Sequence, residues 1–284
     1  MKLFKIFGKI ILYFFIISFI ISLLFFYLYS RPKKTQTPNT PFDFKLNYED
    51  IELNTIDGIK ISGWFIPNKD SNKAIIMLHG WPADKGDILA NTFFMSKKYN
   101  LLYIDFRAMG KSGGKINSGG YKEVLDIKAA IEYLKKRGLK DIALYGYSMG
   151  GFAAIFYSIN YNDIKVVISD SPYDNIYAIL KDFFKFYWIL AEPILWFMNF
   201  EYKILYGKFI TELSISKNIE KIKTPTLFIC GDKDDICYSK SIEGYNSIND
   251  KIETVILKDF SHNESIYYRG YEKIVMEFLQ RRFE

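Results

Sequence analysis

The sequence predicts an α/β fold in which a doubly wound, mostly parallel sheet follows one N-terminal transmembrane helix. Three observations predict it. A charge-free apolar run fills residues 10–29, six short apolar runs alternate with helical segments between residues 74 and 257, and an aromatic-rich insertion at 174–222 interrupts the alternation. Strands that alternate with helices are typical of a parallel sheet that is covered on both faces.

The apolar run at residues 10–29 predicts a membrane anchor within residues 1–34. Fifteen of its 20 residues are Ile, Leu or Phe and none is charged, and a helix of this length spans the roughly 30 Å hydrocarbon core of a bilayer. The alternative is a cleaved signal peptide. The run is long for one, and FYLYSRPKK at its end has no small-x-small cleavage pattern. We therefore expect an uncleaved, single-pass anchor in the cell membrane.

The charges that flank this run leave its orientation open. Three basic residues lie on each side of it, namely Lys2, Lys5 and Lys9 before it and Arg31, Lys33 and Lys34 after it. The positive-inside rule therefore favours neither side clearly. We expect a short cytoplasmic N-terminus and an extracytoplasmic body, with the reverse orientation as the alternative.

The net charge of +6 comes from the anchor region. Residues 1–34 contain six basic and no acidic residues, which leaves 32 basic and 32 acidic residues in the remainder. Because proteins that bind nucleic acid carry a basic surface, the neutral body predicts no nucleic-acid partner.

The remaining chain predicts a tether and one domain. Residues 35–46 are rich in Pro and Thr and predict the tether, and residues 47–284 are enough for one α/β domain. Within it, residues 51–67 predict a β-hairpin that turns at Asp57-Gly58. The predicted parallel strands are 74–80, 101–107, 142–148, 165–170, 226–232 and 253–257.

Two helical segments stand out between these strands. Residues 121–138 place Val124, Ile127, Ile131 and Leu134 on one face and end at Gly138. Residues 174–222 contain many aromatic residues, lack a strand pattern and are much longer than an ordinary connection. We expect them to form a helical cap. Its aromatic side chains either pack on the body or form an apolar wall for acyl groups that also rests on the membrane.

Ser148 is the predicted nucleophile. The sequence YGYSMGG at 145–151 matches G-x-S-x-G and lies between a predicted strand and a predicted helix, which is the context that the motif requires. A serine on such a sharp turn exposes its hydroxyl, and glycines two residues away on each side let the strand and helix approach closely.

The base that activates this serine must come from only two histidines. Both His79 and His262 follow predicted strands, where catalytic groups gather in a doubly wound sheet. The chain order Ser…Asp…His of this motif class fits only His262.

Five ordered segments give the chain its resemblance to a known family. LHGWPAD, DFRAMGKSGG, GYSMGG, CGDKDD and FSHNES together resemble the serine hydrolases of the α/β-hydrolase superfamily over residues 47–284. The chain is most similar to the branch that contains membrane-anchored Bem46-like hydrolases, monoacylglycerol lipases and serine aminopeptidase-like proteins.

The resemblance implies a role for several residues. Ser148 would be the nucleophile and His262 the general base, and the backbone N–H groups of Trp81 and Met149 would form the oxyanion hole. His79 would then shape its loop. Family members often have glycine where this chain has Ala108, so we expect the turn after Asp105 to differ in shape.

The resemblance also implies the acid of the triad. The family's G-x-x-D pattern assigns it to Asp234, with Asp232 capping the turn and Asp235 in solvent, although a shift by one residue stays open. Asp170, at the end of the strand 165–170, is a second candidate, because some relatives place the acid there.

The two cysteines predict neither a disulfide framework nor a zinc site. Cys230 is expected as a buried strand residue, and a Cys230–Cys237 disulfide is an alternative if the domain is extracellular. No sequence pattern indicates a metal ion or an organic cofactor, so we expect neither.

The combined expectation is a membrane-anchored serine hydrolase without a cofactor. It would cleave small to medium acyl esters, thioesters or lipid-like substrates through a Ser-His-Asp triad and an acyl-enzyme intermediate. The alternatives are a serine peptidase of the aminopeptidase-like type and a non-catalytic binding protein on a hydrolase fold, which would lack or misplace a member of the triad.

Overall fold

The structure is a computed structural model that describes residues 2–237 and 239–284, apart from the side chains of Trp188 and Ser241. It contains two units. One consists of the N-terminal helix up to Arg31 together with Asn175–Ser214, and the other consists of Pro32–Asp174 and Ile215–Glu284.

The larger unit is built around one sheet. In chain order its strands are β1 (Glu49–Asn54), β2 (Lys60–Ile66), β3 (Lys73–Leu78), β4 (Asn100–Ile104), β5 (Asp141–Tyr147), β6 (Val166–Asp170), β7 (Thr226–Gly231) and β8 (Ile252–Leu257). Their order across the sheet is β1-β2-β4-β3-β5-β6-β7-β8. The pairs β1/β2 and β2/β4 are antiparallel and the other pairs are parallel. The predicted doubly wound, mostly parallel sheet with an N-terminal hairpin at one edge is confirmed.

Helices connect the strands and form the smaller unit. They are α1 (Lys2–Ser30), α2 (Lys85–Thr92), α3 (Val124–Lys136), α4 (Met149–Asn160), α5 (Ile176–Phe184), α6 (Ala191–Tyr206), α7 (Ser239–Ile242), α8 (Tyr245–Ile248) and α9 (Tyr271–Arg282). Short 3₁₀ helices occupy Pro41–Phe44, Phe93–Lys97, Lys185–Leu190, Ile210–Glu212, Ser216–Lys221 and Ser265–Tyr267.

The central strands are apolar along their whole length because helices cover both faces of the sheet. Every residue of β4, β6 and β7 is buried. On one face, apolar side chains of α2 and α9 pack against alternate residues of the strands, such as Ile75 and Met77 of β3. Helices α3 and α4 contact the strands as well. The core therefore holds the carboxyl ends of β3, β5, β7 and β8 in fixed positions.

Local signals fix the ends of several helices. The Asp84 carboxylate accepts the backbone N–H groups of Gly86 and Asp87 and so caps α2. Helix α3 ends two residues before Gly138, which has a φ of 85°. The hairpin turns as predicted, because Gly58 has a φ of 80° and donates its N–H to the Thr55 carbonyl at 2.9 Å.

The Pro- and Thr-rich segment lies on the larger unit rather than extending freely. The Lys34 ammonium donates to the Ser112 carbonyl, and the Thr37 N–H donates to the Asp84 carboxylate at 2.6 Å. Further along, the Phe44 ring packs on Phe93 with centroids 4.8 Å apart. A segment whose composition suggests a linker is therefore held along the loop that leads into α2.

The smaller unit pairs the N-terminal helix with the predicted cap. Helix α1 is longer than the expected span of residues 10–29, and it is the one helix in the described part of the chain whose length and hydropathy suit a membrane crossing. The cap segment of this unit ends at Ser214, so residues 215–222 of the predicted cap belong to the larger unit. The reason is that the Ile215 and Ser216 N–H groups bind the backbone and side chain of Asp174.

Candidate active site

Ser148 lies in the tight connection between β5 and α4. Its backbone has a φ of 50° and a ψ of −112°, a conformation that costs a non-glycine residue on the order of 1–3 kcal/mol. Neighbouring hydrogen bonds hold it there, since the Ser148 N–H donates to the Asp170 carbonyl at 2.8 Å and its carbonyl accepts from Phe152 at 3.0 Å. The result is a serine fixed at the carboxyl end of the sheet.

The two glycines around Ser148 are required by the close approach of neighbouring backbone. A β-carbon built on Gly150 would lie 2.2 Å from the Leu78 carbonyl oxygen, and one on Gly146 would lie 2.3 Å from the Gly150 oxygen. Both distances are far below van der Waals contact. The G-x-S-x-G spacing therefore has a direct steric cause in this fold.

His262 lies in the loop after β8 and faces Ser148. Its Nε2 atom is 3.2 Å from the Ser148 Oγ atom, and its Nδ1 atom is 2.9 Å from the Asp234 Oδ2 atom. A carboxylate can only accept, so Nδ1 carries the proton and the Nε2 lone pair is directed at the serine hydroxyl. This is the arrangement that a general base needs.

Asp234 lies in the loop after β7 and is buried. Its second oxygen, Oδ1, accepts the N–H groups of Ile236 at 2.9 Å and Cys237 at 2.8 Å. Burial alone would raise the pKa of this carboxyl, but the hydrogen bond and charge of His262, with the two N–H groups, outweigh it and hold the pKa below its ordinary value. The carboxylate is thus kept ionised beside the imidazole.

Backbone contacts connect the loops that carry Asp234 and His262. The Lys233 N–H donates to the Phe260 carbonyl at 3.0 Å, and the Asp259 N–H donates to the Asp232 carboxylate at 2.7 Å. The two strands β7 and β8 are adjacent and parallel. Residues 28 positions apart are therefore brought into hydrogen-bond contact.

The other acids considered from the sequence have different surroundings. Asp232 caps the turn as described, and Asp235 is exposed. Asp170 is buried, and its carboxylate accepts the hydroxyl groups of Tyr145, Ser171, Ser265 and Tyr271. Burial raises the pKa of Asp170, and these hydroxyls offset the rise only in part. The acid that the structure brings to His262 is Asp234.

The predicted oxyanion donors belong to segments that border Ser148. Met149 is the first residue of α4, where a backbone N–H has no acceptor within the helix. Trp81 follows Gly80, whose α-carbon is so close to the serine that an added β-carbon would lie 3.4 Å from the Ser148 Cβ atom. Their role as donors remains a prediction.

Comparisons with known proteins agree with this fold. The model of the alpha/beta hydrolase fold family matches residues 73–197. The chain is 27% identical to protein bem46 of Schizosaccharomyces pombe over 84% of this chain and 79% of that protein. It is also 27% identical to the uncharacterized membrane protein YNL320W of Saccharomyces cerevisiae, over 85% of this chain and 82% of that one.

A solved structure extends the likeness to three dimensions. The esterase Pf2001 of Pyrococcus furiosus superposes with a TM-score of 0.74 and 28% identity, covering 90% of this chain and 99% of the esterase. The chain therefore has the α/β-hydrolase fold. The resemblance inferred from the five sequence segments is therefore confirmed.

The chain departs at Ala108 from the pattern that is common in proteins of this fold. The residue has a φ of 64°, which is the left-handed conformation that favours glycine. Its N–H donates to the Gly113 carbonyl at 2.7 Å, which closes the turn. The turn after Asp105 thus keeps a glycine-like backbone despite alanine, at a cost of about 1–2 kcal/mol. The expectation of a differently shaped turn was wrong.

His79 is buried, and both of its ring nitrogens have polar partners. Its Nε2 atom accepts the Phe106 N–H at 3.0 Å, and its Nδ1 atom lies 2.7 Å from the Gly80 carbonyl. Burial lowers the pKa of His79, so the ring is neutral. These contacts suit the loop-shaping role inferred from the resemblance.

The two cysteines are buried free thiols. The alternative of a Cys230–Cys237 disulfide is therefore not realised in this structure. Ligand atoms of Cys230, Asp234 and Cys237 lie within 4.8 Å of one another, but both Asp234 oxygens already accept hydrogen bonds. Burial also raises the pKa of Cys237, which disfavours the thiolate that a metal ion binds. This cluster does not suit a metal ion.

One contact beside the site was not foreseen from the sequence. The Tyr147 hydroxyl donates to the Asn263 side-chain oxygen, which joins the residue before Ser148 to the residue after His262. Burial raises the pKa of Tyr147 well above its ordinary value, so the phenol stays a donor. Nothing in the local sequence pattern indicates this pair, because its members are 116 positions apart.

Gly150→Ala is expected to destabilise the protein because its β-carbon would overlap the Leu78 carbonyl. Overpacking of this kind costs about 1–3 kcal/mol, which lowers the melting temperature of a domain this size by roughly 2–10 °C. Thermal unfolding in detergent measures it. Gly244→Ala is the matched control, since nothing lies within 4 Å of its added β-carbon. Equal melting temperatures for the two variants would contradict the steric argument.

The two thiols are expected to resist modification in the folded protein. Both sulfurs are enclosed, and the raised pKa of Cys237 disfavours the reactive thiolate. Titration with a chromogenic disulfide reagent at pH 8 should therefore release little colour until denaturant is added. The denatured chain should then react at both cysteines. Rapid reaction of one or both thiols under native conditions would show that this loop opens.

Proposed function

We propose that the protein is a membrane-anchored serine hydrolase that cleaves carboxylic ester or thioester bonds through Ser148, His262 and Asp234. The observation that carries the proposal is the continuous contact from the Ser148 Oγ atom to His262 at 3.2 Å and from His262 to Asp234 at 2.9 Å. Three separate loops contribute the three residues. A non-catalytic binding protein would not require them to be aligned in this way.

The geometry suits acyl transfer to water. Ser148 Oγ attacks the ester carbonyl while His262 Nε2 accepts its proton, and the same imidazolium then protonates the leaving alcohol or thiol. Water attacks the acyl-enzyme in the second half of the reaction, with His262 again as the base. The Asp234 carboxylate fixes the tautomer of His262 and stabilises the imidazolium in both halves.

The proposed oxyanion hole uses two backbone donors. The negative oxygen of the tetrahedral intermediate would accept the N–H groups of Trp81 and Met149, each worth on the order of 3 kcal/mol in the transition state. The orphan N–H at the start of α4 and the closeness of Gly80 to Ser148 support this assignment.

Substrate class and location are inferred from two further observations. The similar Pyrococcus furiosus protein is called an esterase, which favours small to medium acyl esters over peptides. Helix α1 and the membrane-protein description of the yeast relative support anchoring in the cell membrane. We propose a single pass with the catalytic unit on the extracytoplasmic side.

Ser148→Ala is expected to abolish covalent labelling by a fluorophosphonate probe and to lower the kcat for a p-nitrophenyl ester by at least about a thousandfold, since no other group supplies the nucleophile. Labelling is read by in-gel fluorescence in parallel with ester and aminoacyl-anilide hydrolysis. Equal labelling of the wild type and the variant would refute Ser148. Faster turnover of the anilide would favour the peptidase alternative.

Asp234→Asn is expected to lower kcat by about three to four orders of magnitude, because an amide favours the wrong tautomer of the histidine. Asp235→Asn is the matched control, because it makes the same change in an exposed neighbour, and its kcat should stay within about twofold of the wild type, as for most surface substitutions. Steady-state kinetics on one ester compares the three proteins. A larger loss for Asp235→Asn would overturn the choice of acid.

A further inference from the structure

Helix α6 packs against the C-terminal half of α1 within the smaller unit. Phe197 contacts Phe19 with ring centroids 5.2 Å apart, and Tyr206 contacts Phe26 at 6.4 Å. These α1 residues lie inside the apolar run at 10–29 rather than beyond its end. The cap helix therefore accompanies the part of α1 that the proposed function places in the bilayer.

Small residues of α1 form the surface that α6 approaches. Ser18 and Ser22, four positions apart, are completely buried, whereas their neighbours Ile17, Ile20 and Leu23 are exposed. Small residues at this spacing let two helices come close and are typical of helix pairs inside membranes. Two buried serines in a largely apolar helix are thus explained by a partner helix.

A polar contact joins the two helices at one of these serines. The Ser22 hydroxyl donates to the Glu201 Oε1 atom at 2.6 Å, and Glu201 is only 9% exposed. Among the described residues, no polar group contacts its other oxygen, Oε2. Serine is among the side chains that hold membrane helices together by hydrogen bonds across the helix interface.

The depth of this contact follows from the geometry of α1. Ser22 lies eight residues before Ser30, the last residue of the helix, which corresponds to about 12 Å along the axis at 1.5 Å per residue. One leaflet contributes roughly 15 Å of hydrocarbon. If α1 crosses the bilayer, Glu201 lies well below the headgroups.

The opposite side of α6 carries an exposed apolar row of Trp196, Phe200 and Ile204. Their exposed fractions are 61%, 50% and 71%, and the three residues recur at the four-residue spacing of one helix face. A monomer in water rarely leaves such a row uncovered. The row belongs to the same unit as the exposed apolar surface of α1.

The charged residues of this segment are paired as intramembrane charges usually are. Residues 176–206 contain three basic and three acidic residues. Lys181 lies 3.9 Å from Glu192, Lys185 lies 3.9 Å from Asp182, and the Lys203 ammonium donates to the Gly207 carbonyl at 2.9 Å. Ionisable groups in membranes pair with one another or with backbone carbonyls.

We propose that α6 is embedded in the bilayer beside α1, with the row Trp196–Phe200–Ile204 in contact with the acyl chains of one leaflet. The Ser22–Glu201 hydrogen bond holds the two helices together. This inference rests on the anchoring part of the proposed function and is independent of the catalytic part. It makes the cap a membrane-bound element rather than a lid that moves in water.

The test is depth-dependent quenching of a bimane label in full-length protein reconstituted into phosphatidylcholine vesicles. Labels are placed by Phe200→Cys and Ile204→Cys on the row, Leu12→Cys on α1, and Ile248→Cys on an exposed apolar site of the larger unit. Quenchers are lipid with a nitroxide on the acyl chain and aqueous iodide. The two row positions guard against the loss of one variant to misfolding.

We expect nitroxide lipid to quench the row labels to within about twofold of the Leu12→Cys label, because an embedded helix lies at acyl-chain depth. The Ile248→Cys label should be quenched mainly by iodide. If iodide quenches the row labels while nitroxide lipid quenches the Leu12→Cys label, the proposal is overturned and the anchoring of α1 is not. A row shielded from both quenchers would overturn it in favour of a second copy of the chain. If nitroxide lipid does not quench the Leu12→Cys label, the anchoring of α1 is overturned as well. Catalysis is tested separately, by labelling of Ser148 with the fluorophosphonate probe.

Discussion

The candidate site depends on the close approach of α4 to the end of β3. Ser148 is held in a strained conformation, and such strain persists only where the surroundings over-determine it. Here the surroundings are backbone atoms, since the Leu78 carbonyl leaves room for no side chain at position 150. The same contact brings Gly80, and with it the segment of Trp81, against the serine. One steric constraint thus positions Ser148 together with the segments that carry the proposed oxyanion donors.

The second constraint is the parallel pairing of β7 with β8. It puts the two loops that follow these strands side by side, and backbone hydrogen bonds from Lys233 and Asp259 join them. Asp234 and His262 therefore lie on adjoining loops that are joined by hydrogen bonds, while Ser148 directly follows β5. The Tyr147–Asn263 hydrogen bond connects these two parts. Catalytic distances in such a site are set by the sheet and not by the flexible ends of side chains.

The sequence predicts the features that follow from local pattern. Strand runs, the Asp57-Gly58 turn and G-x-S-x-G depend on near neighbours, and two histidines leave little choice of base. Other features depend on contacts between distant segments. No pattern indicates that α6 pairs with α1, because apolar surfaces do not specify which surface they pack against. Ser22 and Glu201, which form the polar contact, belong to no recognisable sequence motif. The left-handed conformation of Ala108 is likewise not predicted, because alanine in place of the usual glycine suggests a turn of a different shape.

Asp234 differs from the other buried aspartates in the chemistry of its hydrogen-bond partner. Each buried carboxylate must have partners, because its desolvation is costly. Asp105 is paired with the Lys85 ammonium at 2.5 Å, and Asp170 is surrounded by hydroxyl groups. Those partners keep the acids in place but offer no base next to a nucleophile. Asp234 alone among these three has an imidazole as its hydrogen-bond partner, and the other nitrogen of that imidazole lies 3.2 Å from the Ser148 Oγ atom.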